Sequence, residues 1–289
     1  MADGTVYAQG WNPDDVAWAR FDASKVEPWL LVAIKAAALV EYNAPDYVAY
    51  LKRVFHDSGP ELVASIEEWG REETQHGKTL GRWAELADPA FSLDEAFARF
   101  RNGYKPEHFE GSESGSVRGS RRGEMIARCV VESGTSSYYT AIKDMTEEPV
   151  LKEIAGRVAA DEFRHYKLFY ETLHKQDEPD LPFWKKLLLA VGRVQESDDD
   201  ELAFAYYCAS VPAENESAVP YVRQTYVRIA SNTLLRIYRR RHIQKLTQMV
   251  AKAVGADPHG RLTNLASGLL WRMLKMRAGF LVTPKQEAA

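Results

Sequence analysis

The sequence predicts an all-α protein in which a four-helix bundle is followed by additional C-terminal helices. Strong helix formers (Ala, Leu, Glu, Arg and Lys) dominate its 289 residues, and apolar residues recur at helical spacing over long stretches. No Asn-Gly, Asp-Gly or Gly-Gly pair stands between two alternating strand patterns, where it would mark a hairpin. We expect a single domain over residues 1–289, with a core bundle over about 24–175 and accessory helices over about 182–278.

The first two helices of the bundle are marked by capping residues and prolines. The first is predicted to start near a cap at Ser24 and to run past Glu41. Pro45 is expected to kink this helix or to offset its final turns, because proline lacks a backbone N–H. The second helix is predicted to begin near Pro60, a residue suited to a first helical turn, and to end near Asp88.

A polar connection separates these helices from the other two. Residues 102–123 are rich in Gly, Ser and charged side chains, which is typical of a long connection. The third helix is predicted over about Glu124 to Met145. The fourth, opened by Pro149, is predicted to reach about His174. The bundle therefore has one long crossover between two helical hairpins.

The rest of the chain is amphipathic and carries no obvious chemistry. We predict one or two shorter helices over Pro182 to Ala209, then long helices over Glu214 to Val254 and Leu262 to Arg277. These accessory helices are expected to pack as extra layers on the bundle.

Charge and composition exclude several classes of protein. The chain has 37 basic and 41 acidic residues, and the basic ones are dispersed, which does not favour nucleic acid as a partner. The longest apolar run, Pro28 to Val40, is interrupted by Lys35 and is too short to span a membrane. Without a visible secretory signal, the protein is expected to be soluble and cytoplasmic. Cys129 and Cys208 are expected to be small buried side chains.

A repeated pattern of carboxylates and histidines carries the chemistry. A single Glu is followed 32 positions later by Glu-x-x-His, and a second Glu is followed 30 positions later by another Glu-x-x-His. Residues three apart on a helix lie about 60° apart around its axis and about 4.5 Å apart along it, so each Glu and its His can reach one ion. The candidate ligands are Glu41, Glu73, His76, Glu132, Glu162 and His165.

The separation within each half suits two antiparallel helices, because a turn near its midpoint returns the chain to the same depth of a bundle. Four ionised carboxylates in an apolar bundle would be very unstable alone, and two divalent cations would neutralise them. Oxygen and imidazole ligands without thiolate favour iron or manganese. We therefore predict two iron ions, for which manganese is the alternative, in the arrangement of ferritin-like di-iron proteins.

Three alternatives to this ligand assignment exist. Glu171 and His174 form a third Glu-x-x-His in the fourth helix, but Glu171 lies nine positions after Glu162 and is predicted to face the surface. Glu72 is the alternative to Glu73 as a ligand, although only Glu73 stands three positions before its histidine. A set of solvated or ion-paired side chains is the alternative to a metal site.

These segments resemble the soluble acyl-acyl-carrier-protein desaturases of the ferritin-like superfamily. Residues 69–77 (WGREETQHG) resemble the family's W-x-x-E-E-x-R-H-G segment, with Gln75 in place of its Arg. Residues 160–165 (ADEFRH) match A-D-E-x-R-H, residues 41–47 are similar to E-E-x-L-P-x-Y, and residues 132–135 match Glu-x-x-Thr. The resemblance covers about half of the chain.

The resemblance implies roles for particular residues. Glu73 and Glu162 would bridge the two irons. Thr135 would lie beside the oxygen-binding face, and its alternative is a hydroxyl bonded to its own helix. Asp161 would accept a hydrogen bond from a ligating imidazole, and its alternative is an exposed pair with an Arg.

The resemblance also implies a reaction and partners. The family desaturates an acyl chain held on an acyl carrier protein, using O2 and electrons from a ferredoxin-type donor, and a homodimer is one expectation for the assembly. Carrier proteins are acidic, so a docking surface should be basic, although each basic cluster is equally typical of a solvated face. The candidate basic residues are Arg118, Arg121 and Arg122 in the crossover, and Arg236, Arg239, Arg240, Arg241 and Lys245 in a late helix. The candidate channel aromatics, which a plain core role would also explain, are Trp69, Tyr138, Tyr139 and Phe163.

Three classes of function remain open from the sequence. The first is an O2-activating desaturase, or a related hydroxylase or N-oxygenase. Val158 stands where N-oxygenases of the di-iron type tend to carry an additional His, which disfavours the last of these. The second is an iron-storage or peroxide-scavenging protein of the ferritin or rubrerythrin kind, and the third is a binding protein that keeps the site structurally.

Overall fold

The computed structural model describes residues 10–104, 115–196 and 200–281. Within these ranges the regular structure is helical and no β-strand occurs, so the predicted all-α class is confirmed. The α-helices of the described residues are α1 (Pro28–Tyr42), α2 (Ala44–Val54), α3 (Pro60–Ala87), α4 (Leu93–Gly103), α5 (Arg121–Met145), α6 (Pro149–Lys175), α7 (Phe183–Glu196), α8 (Asp200–Ser210), α9 (Arg223–Ile237), α10 (Arg240–Ala253) and α11 (Arg261–Leu281).

The start of α1 differs from the prediction. Ser24 lies in a short 3-10 turn, Ala23–Lys25, where its backbone N–H donates to the side chain of Asp22, and it does not cap α1. The helix begins at Pro28 instead, since a proline in the first turn forgoes an N–H that would have no helical partner. The offset expected at Pro45 is a separate helix, because the chain leaves α1 at Asn43 and starts α2.

Two further elements were not predicted correctly. The helix α4 was missed, although Ser92 caps it by accepting the N–H of Glu95. Part of the predicted crossover, residues 105–114, lies outside the described residues. The single helix predicted over 214–254 is wrong, because Tyr238 and Arg239 adopt extended backbone and separate α9 from α10.

The helices α1, α3, α5 and α6 surround a polar centre. α1 packs against α3, α5 against α6, and α3 against α6. α1 and α3 approach closely at Gly77, where an added Cβ would lie 2.6 Å from the backbone N of Tyr42. A glycine at this position therefore lets the end of α1 lie directly against the middle of α3.

Apolar clusters lie on either side of the polar centre along these helices. α5 contributes Met125 and Ile126 to one cluster and Ile142 to the other, with Glu132 between them. α3 follows the same order along the chain, with Ile66 and Trp69 before Leu80 and Trp83, whereas α6 follows the reverse order, with Ile154 and Val158 before Tyr166 and Phe169. In each of these helices, polar side chains replace the apolar ones at one level of the bundle. Together these polar side chains form the centre.

The later helices pack around this bundle. α7 and α10 pack on α5, α8 packs on α1 and α4, and α9 packs on α8. Among the helices of the described residues, none combines the length and apolarity that crossing a membrane requires.

Candidate metal centre

The structure brings all six predicted metal ligands together in the bundle interior. Their side chains belong to residues between 0% and 8% exposed. They form two overlapping groups, in each of which four potential ligand atoms lie within 4.8 Å of one another. The first group is Glu41, Glu73, His76 and Glu162, and the second is Glu73, Glu132, Glu162 and His165.

Each half of the sequence repeat supplies ligands to both groups. α1 and α5 provide one Glu each, whereas α3 and α6 each provide a Glu and the His one turn later. Glu73 and Glu162 belong to both groups, so these two carboxylates lie between the two potential metal positions. Such a cluster of buried Glu and His can hold metal ions.

The first imidazole, His76, is held from both sides. Its Nδ1 points into the centre, 3.2 Å from Oε1 of Glu162 and 3.7 Å from Oε2 of Glu73. Its Nε2 lies 2.9 Å from Oδ2 of Asp161. The indole N–H of Trp11 donates to the same oxygen at 2.7 Å, and the indole ring stacks beside the imidazole. A neutral His76 would therefore keep its proton on Nε2 and offer the Nδ1 lone pair to an ion.

The second imidazole, His165, has the same orientation with different outer partners. Its Nδ1 lies 2.9 Å from Oε1 of Glu73 and 3.7 Å from Oε2 of Glu132. Its Nε2 lies 2.7 Å from Oε2 of Glu72, and Arg164 donates to the other oxygen of that carboxylate at 3.2 Å. Glu72 therefore faces outward as a partner of the imidazole, and the structure places Glu73 within the centre.

Several buried atoms of the centre lack a hydrogen-bond partner. They are Nδ1 of His76, Nδ1 of His165, Oε1 of Glu132 and Oε1 of Glu162. Buried polar atoms are rarely left unsatisfied, and orphaned lone pairs that face one another are the arrangement that a cation satisfies. The two Nδ1 atoms and the carboxylate oxygens are suitable ligands for a divalent ion, so the residues present fit a metal centre.

The electrostatics of the cluster also favour cations. Burial, followed by the neighbouring carboxylate of Glu73, raises the pKa of Glu41 well above its usual range. Burial alone would raise the pKa of Glu73 too, but the neighbouring Glu41 carboxyl and the two imidazoles outweigh burial and hold that pKa well below its usual range. Burial alone would lower the pKa of His76 and His165, but the surrounding carboxylates raise both. Positive charge at this point, from protons or metal ions, therefore stabilises the buried carboxylates.

Thr135 makes the contact with its own helix that the sequence left open, and it also contacts a carboxylate of the centre. Its hydroxyl lies 3.3 Å from the carbonyl oxygens of Val131 and Glu132 in its own helix. The hydroxyl also contacts Oε2 of Glu162, the carboxylate shared by both groups. Thr135 thus lies at the edge of the centre, where it can orient one oxygen of Glu162.

The aromatic residues proposed for a channel lie in different environments. The hydroxyl of Tyr139 donates to Oε1 of Glu41 at 2.5 Å, which makes it part of the centre. Trp69 packs edge-on against Phe169 in an apolar cluster, and Tyr138 packs at the edge of the other cluster. Phe163 is 42% exposed, so a role for it in lining an interior channel is wrong.

Sequence reasoning missed Trp11. It lies 65 positions before His76 in an irregular segment, and only the tertiary fold brings it to Asp161. Gln75, which stands where the similar family has Arg, donates its amide to the backbone carbonyl of Trp11 at 3.0 Å. By contrast, Glu171 and His174 are exposed, as expected from their angular position.

The two basic clusters considered for docking have contacts within the protein. Arg122 donates to the backbone carbonyls of Leu173, Gln176 and Glu178, and so joins the start of α5 to the end of α6. In the late cluster, Arg241 pairs with Asp144 at 2.7 Å. These contacts give part of each cluster a structural role.

No protein-family model matches this chain, and no curated protein matches its sequence.

Proposed function

We propose that this protein is a di-iron oxidoreductase that uses O2 to desaturate or hydroxylate an acyl chain. The observation that carries the proposal is the set of unpartnered lone pairs that face one another across two overlapping groups of Glu and His. Four carboxylates and two imidazoles without thiolate favour iron and leave manganese as the substitute. In this assignment Glu73 and Glu162 would each help to hold both ions, since both belong to the two groups.

A reduced di-iron centre supplies electrons to O2 and generates an oxidant able to attack an unactivated C–H bond. Desaturation removes two hydrogens from adjacent methylenes, and complete reduction of O2 to two waters needs two further electrons and two protons. An electron donor of the ferredoxin type would provide these electrons, as in the family that the sequence resembles. Hydroxylation uses the same two electrons and leaves one oxygen atom in the product.

The chain's own residues prepare the centre for this chemistry. Asp161 and Glu72 would accept hydrogen bonds from Nε2–H of the two imidazoles, which orients each Nδ1 lone pair inward. Thr135 and Tyr139 place hydroxyl groups on Glu162 and Glu41, so that each can hold a proton at a defined ligand oxygen. The apolar clusters on both sides exclude water, which protects a reactive oxidant from side reactions.

The proposal is tested by metal analysis and product analysis of one preparation. Protein purified with iron should contain about two Fe per chain. The reduced protein is then incubated with O2 and acyl chains bound to carrier protein, and the chains are examined by mass spectrometry. Loss of two hydrogens identifies desaturation, and gain of one oxygen atom identifies hydroxylation.

The third Glu-x-x-His supplies a matched control for metal binding. Glu171→Ala removes an exposed Glu from the same helix as Glu162, and it should leave the iron content and the products unchanged. A protein that binds no iron overturns the assignment of the centre. A protein that holds two irons but only consumes peroxide, with no change in any acyl chain, overturns the oxidoreductase proposal in favour of a scavenging role.

A further inference from the structure

The helices α7 and α11 present large apolar side chains to solvent. On α11 these side chains recur at intervals of three and four residues, which places them on one face of the helix. We refer to the exposed side chains of both helices as the apolar face. Its members, with exposures between 40% and 80%, are Phe183, Trp184, Leu187, Leu188, Val191, Val194, Leu262, Leu265, Leu269, Leu270, Met273 and Met276.

One side of α11 contacts the protein, and a wide apolar stripe faces away from it. Trp271 and Leu274 pack against the core, and the small polar residues Thr263 and Ser267 on the same side are each 5% exposed. Leu262 and Leu265 face outward, at 80% and 69% exposure. A helix normally buries its apolar side chains against the core, so this arrangement indicates that the outer face of α11 meets another apolar phase.

α7 lies close to the turn that leads into α11. An added Cβ on Gly255, in this turn, would lie 3.9 Å from Nζ of Lys186 in α7. Leu189 of α7 also packs in the apolar cluster that contains Val254. The turn between α10 and α11 therefore joins the two exposed helices.

Basic residues predominate on these helices, although the whole chain is acidic with a formal net charge of -4. α11 contains no Asp or Glu, and the one acidic residue of α7 is Glu196 at its last position. The basic residues of the two helices are Lys185, Lys186, Arg193, Arg261, Arg272, Lys275 and Arg277. Lys186 pairs with Asp180 at 2.7 Å, so one of these charges is balanced within the protein.

We propose that the apolar face binds the surface of a membrane that contains anionic lipids. Apolar side chains enter the boundary between headgroups and acyl chains, while flanking Lys and Arg interact with anionic headgroups. Trp184, which is 58% exposed, fits this depth and has Lys185 beside its ring at 5.6 Å. The helices lie on such a surface, in keeping with the absence of a membrane-crossing helix among the described residues.

A lipid surface fits this face better than a second copy of the chain. A two-fold contact between copies brings the same patch of each together, so Arg272 and Lys275 would face other cations with no acidic residue on α11 to pair with them. An acidic partner protein would match the charges, but a polar surface would leave the outward leucines without apolar contacts. A membrane supplies both anionic groups and apolar chains.

The test is sedimentation of the purified, iron-loaded protein with vesicles. We expect it to sediment with mixed vesicles of phosphatidylcholine and phosphatidylglycerol, much less with phosphatidylcholine alone, and less in high salt. The double variant Leu265→Ser with Leu269→Ser should lower partitioning by about tenfold or more. Arg272→Gln and Lys275→Gln should each lower it about fivefold.

A matched control is Leu86→Ser, which removes a leucine that is 45% exposed on α3, outside the apolar face. This variant should sediment like the unmodified protein. Failure to sediment with anionic vesicles overturns the proposal, as does equal sedimentation of the leucine double variant. A dimer in sedimentation velocity that Leu265→Ser with Leu269→Ser converts to a monomer, without vesicle binding, would show that a second copy covers the face. All of these outcomes are independent of whether the metal centre is catalytic.

Discussion

The two halves of the candidate metal centre have similar inner ligands, but the outer partners of their histidines differ. In both, the Nδ1 of a histidine faces the shared carboxylates, and the Nε2 lies within hydrogen-bonding distance of an acid. Around His76 the acid is Asp161, which is 1% exposed and accepts from the indole of Trp11. Around His165 the acid is Glu72, whose side chain is 17% exposed and pairs with Arg164.

The outer acids repeat in the sequence together with the ligands, whereas the further partners of these acids do not. Glu72 and Asp161 each stand directly before a shared carboxylate, Glu73 or Glu162. Trp11 of the irregular N-terminal segment donates only to Asp161, whereas Arg164 of α6 donates to both acids. We therefore expect loss of a shared carboxylate, Glu73 or Glu162, to weaken the binding of both ions. Loss of an outer acid should weaken the binding of one ion.

The largest effect should follow loss of a shared carboxylate. Glu162→Ala removes a ligand from both groups and should lower iron from about two per chain to well under one. Glu41→Ala or Glu132→Ala removes a ligand from one group only, so each should leave about one iron. Elemental analysis of purified variants gives the measurement. Equal losses in the three variants would contradict the distinction between shared and unshared ligands.

A second comparison concerns the two outer acids. Asp161→Asn should weaken the ion bound by His76 about a hundredfold, because it replaces a buried acceptor oxygen, which faces Trp11 and His76 or Arg164, with an NH2 group that cannot accept. Glu72→Gln should weaken the ion bound by His165 only about tenfold, because the side chain of Glu72 is 17% exposed and water can replace the lost contact. Competition with a chelator measures both affinities. Equal effects, or a larger effect at Glu72, would show that burial of an outer acid does not determine how strongly it stabilises the bound ion.

A smaller effect is expected from removal of one indole N–H. Trp11→Phe keeps an aromatic ring beside His76 but deletes the hydrogen bond to Asp161, so it should cost about 1 kcal/mol of stability and weaken one ion several-fold. Trp69→Phe is the control, since the indole nitrogen of Trp69 is buried without a hydrogen-bond partner. The control should be neutral or stabilising in thermal unfolding. If the two variants weaken iron binding alike, the contact with Asp161 does not support the site.

These comparisons separate what the sequence can predict from what it cannot. The spacing of Glu162 and His165 on one helix determines their common face, so the members of the centre could be found from helical geometry alone. The same geometry predicted that Glu171 faces solvent, where it is found. The contact of Trp11 with Asp161 joins residues 150 positions apart, and no local pattern encodes it. The break between α9 and α10 was missed for a different reason: the amphipathic pattern is continuous across it, although the side chain of His242 accepts the N–H of Arg239 and caps a new helix.

The smallest effect on metal binding is expected at Thr135, which contacts a shared carboxylate without being a ligand. Thr135→Val keeps the shape of the side chain and removes only its hydroxyl, so the iron content should stay at about two per chain. The hydroxyl no longer orients Oε2 of Glu162, and we expect less product for each O2 consumed, measured with an oxygen electrode and mass spectrometry on one sample. Thr135→Ser restores the hydroxyl and should restore this ratio. A ratio unchanged in Thr135→Val would mean that the hydroxyl serves only its own helix, through the carbonyls of Val131 and Glu132.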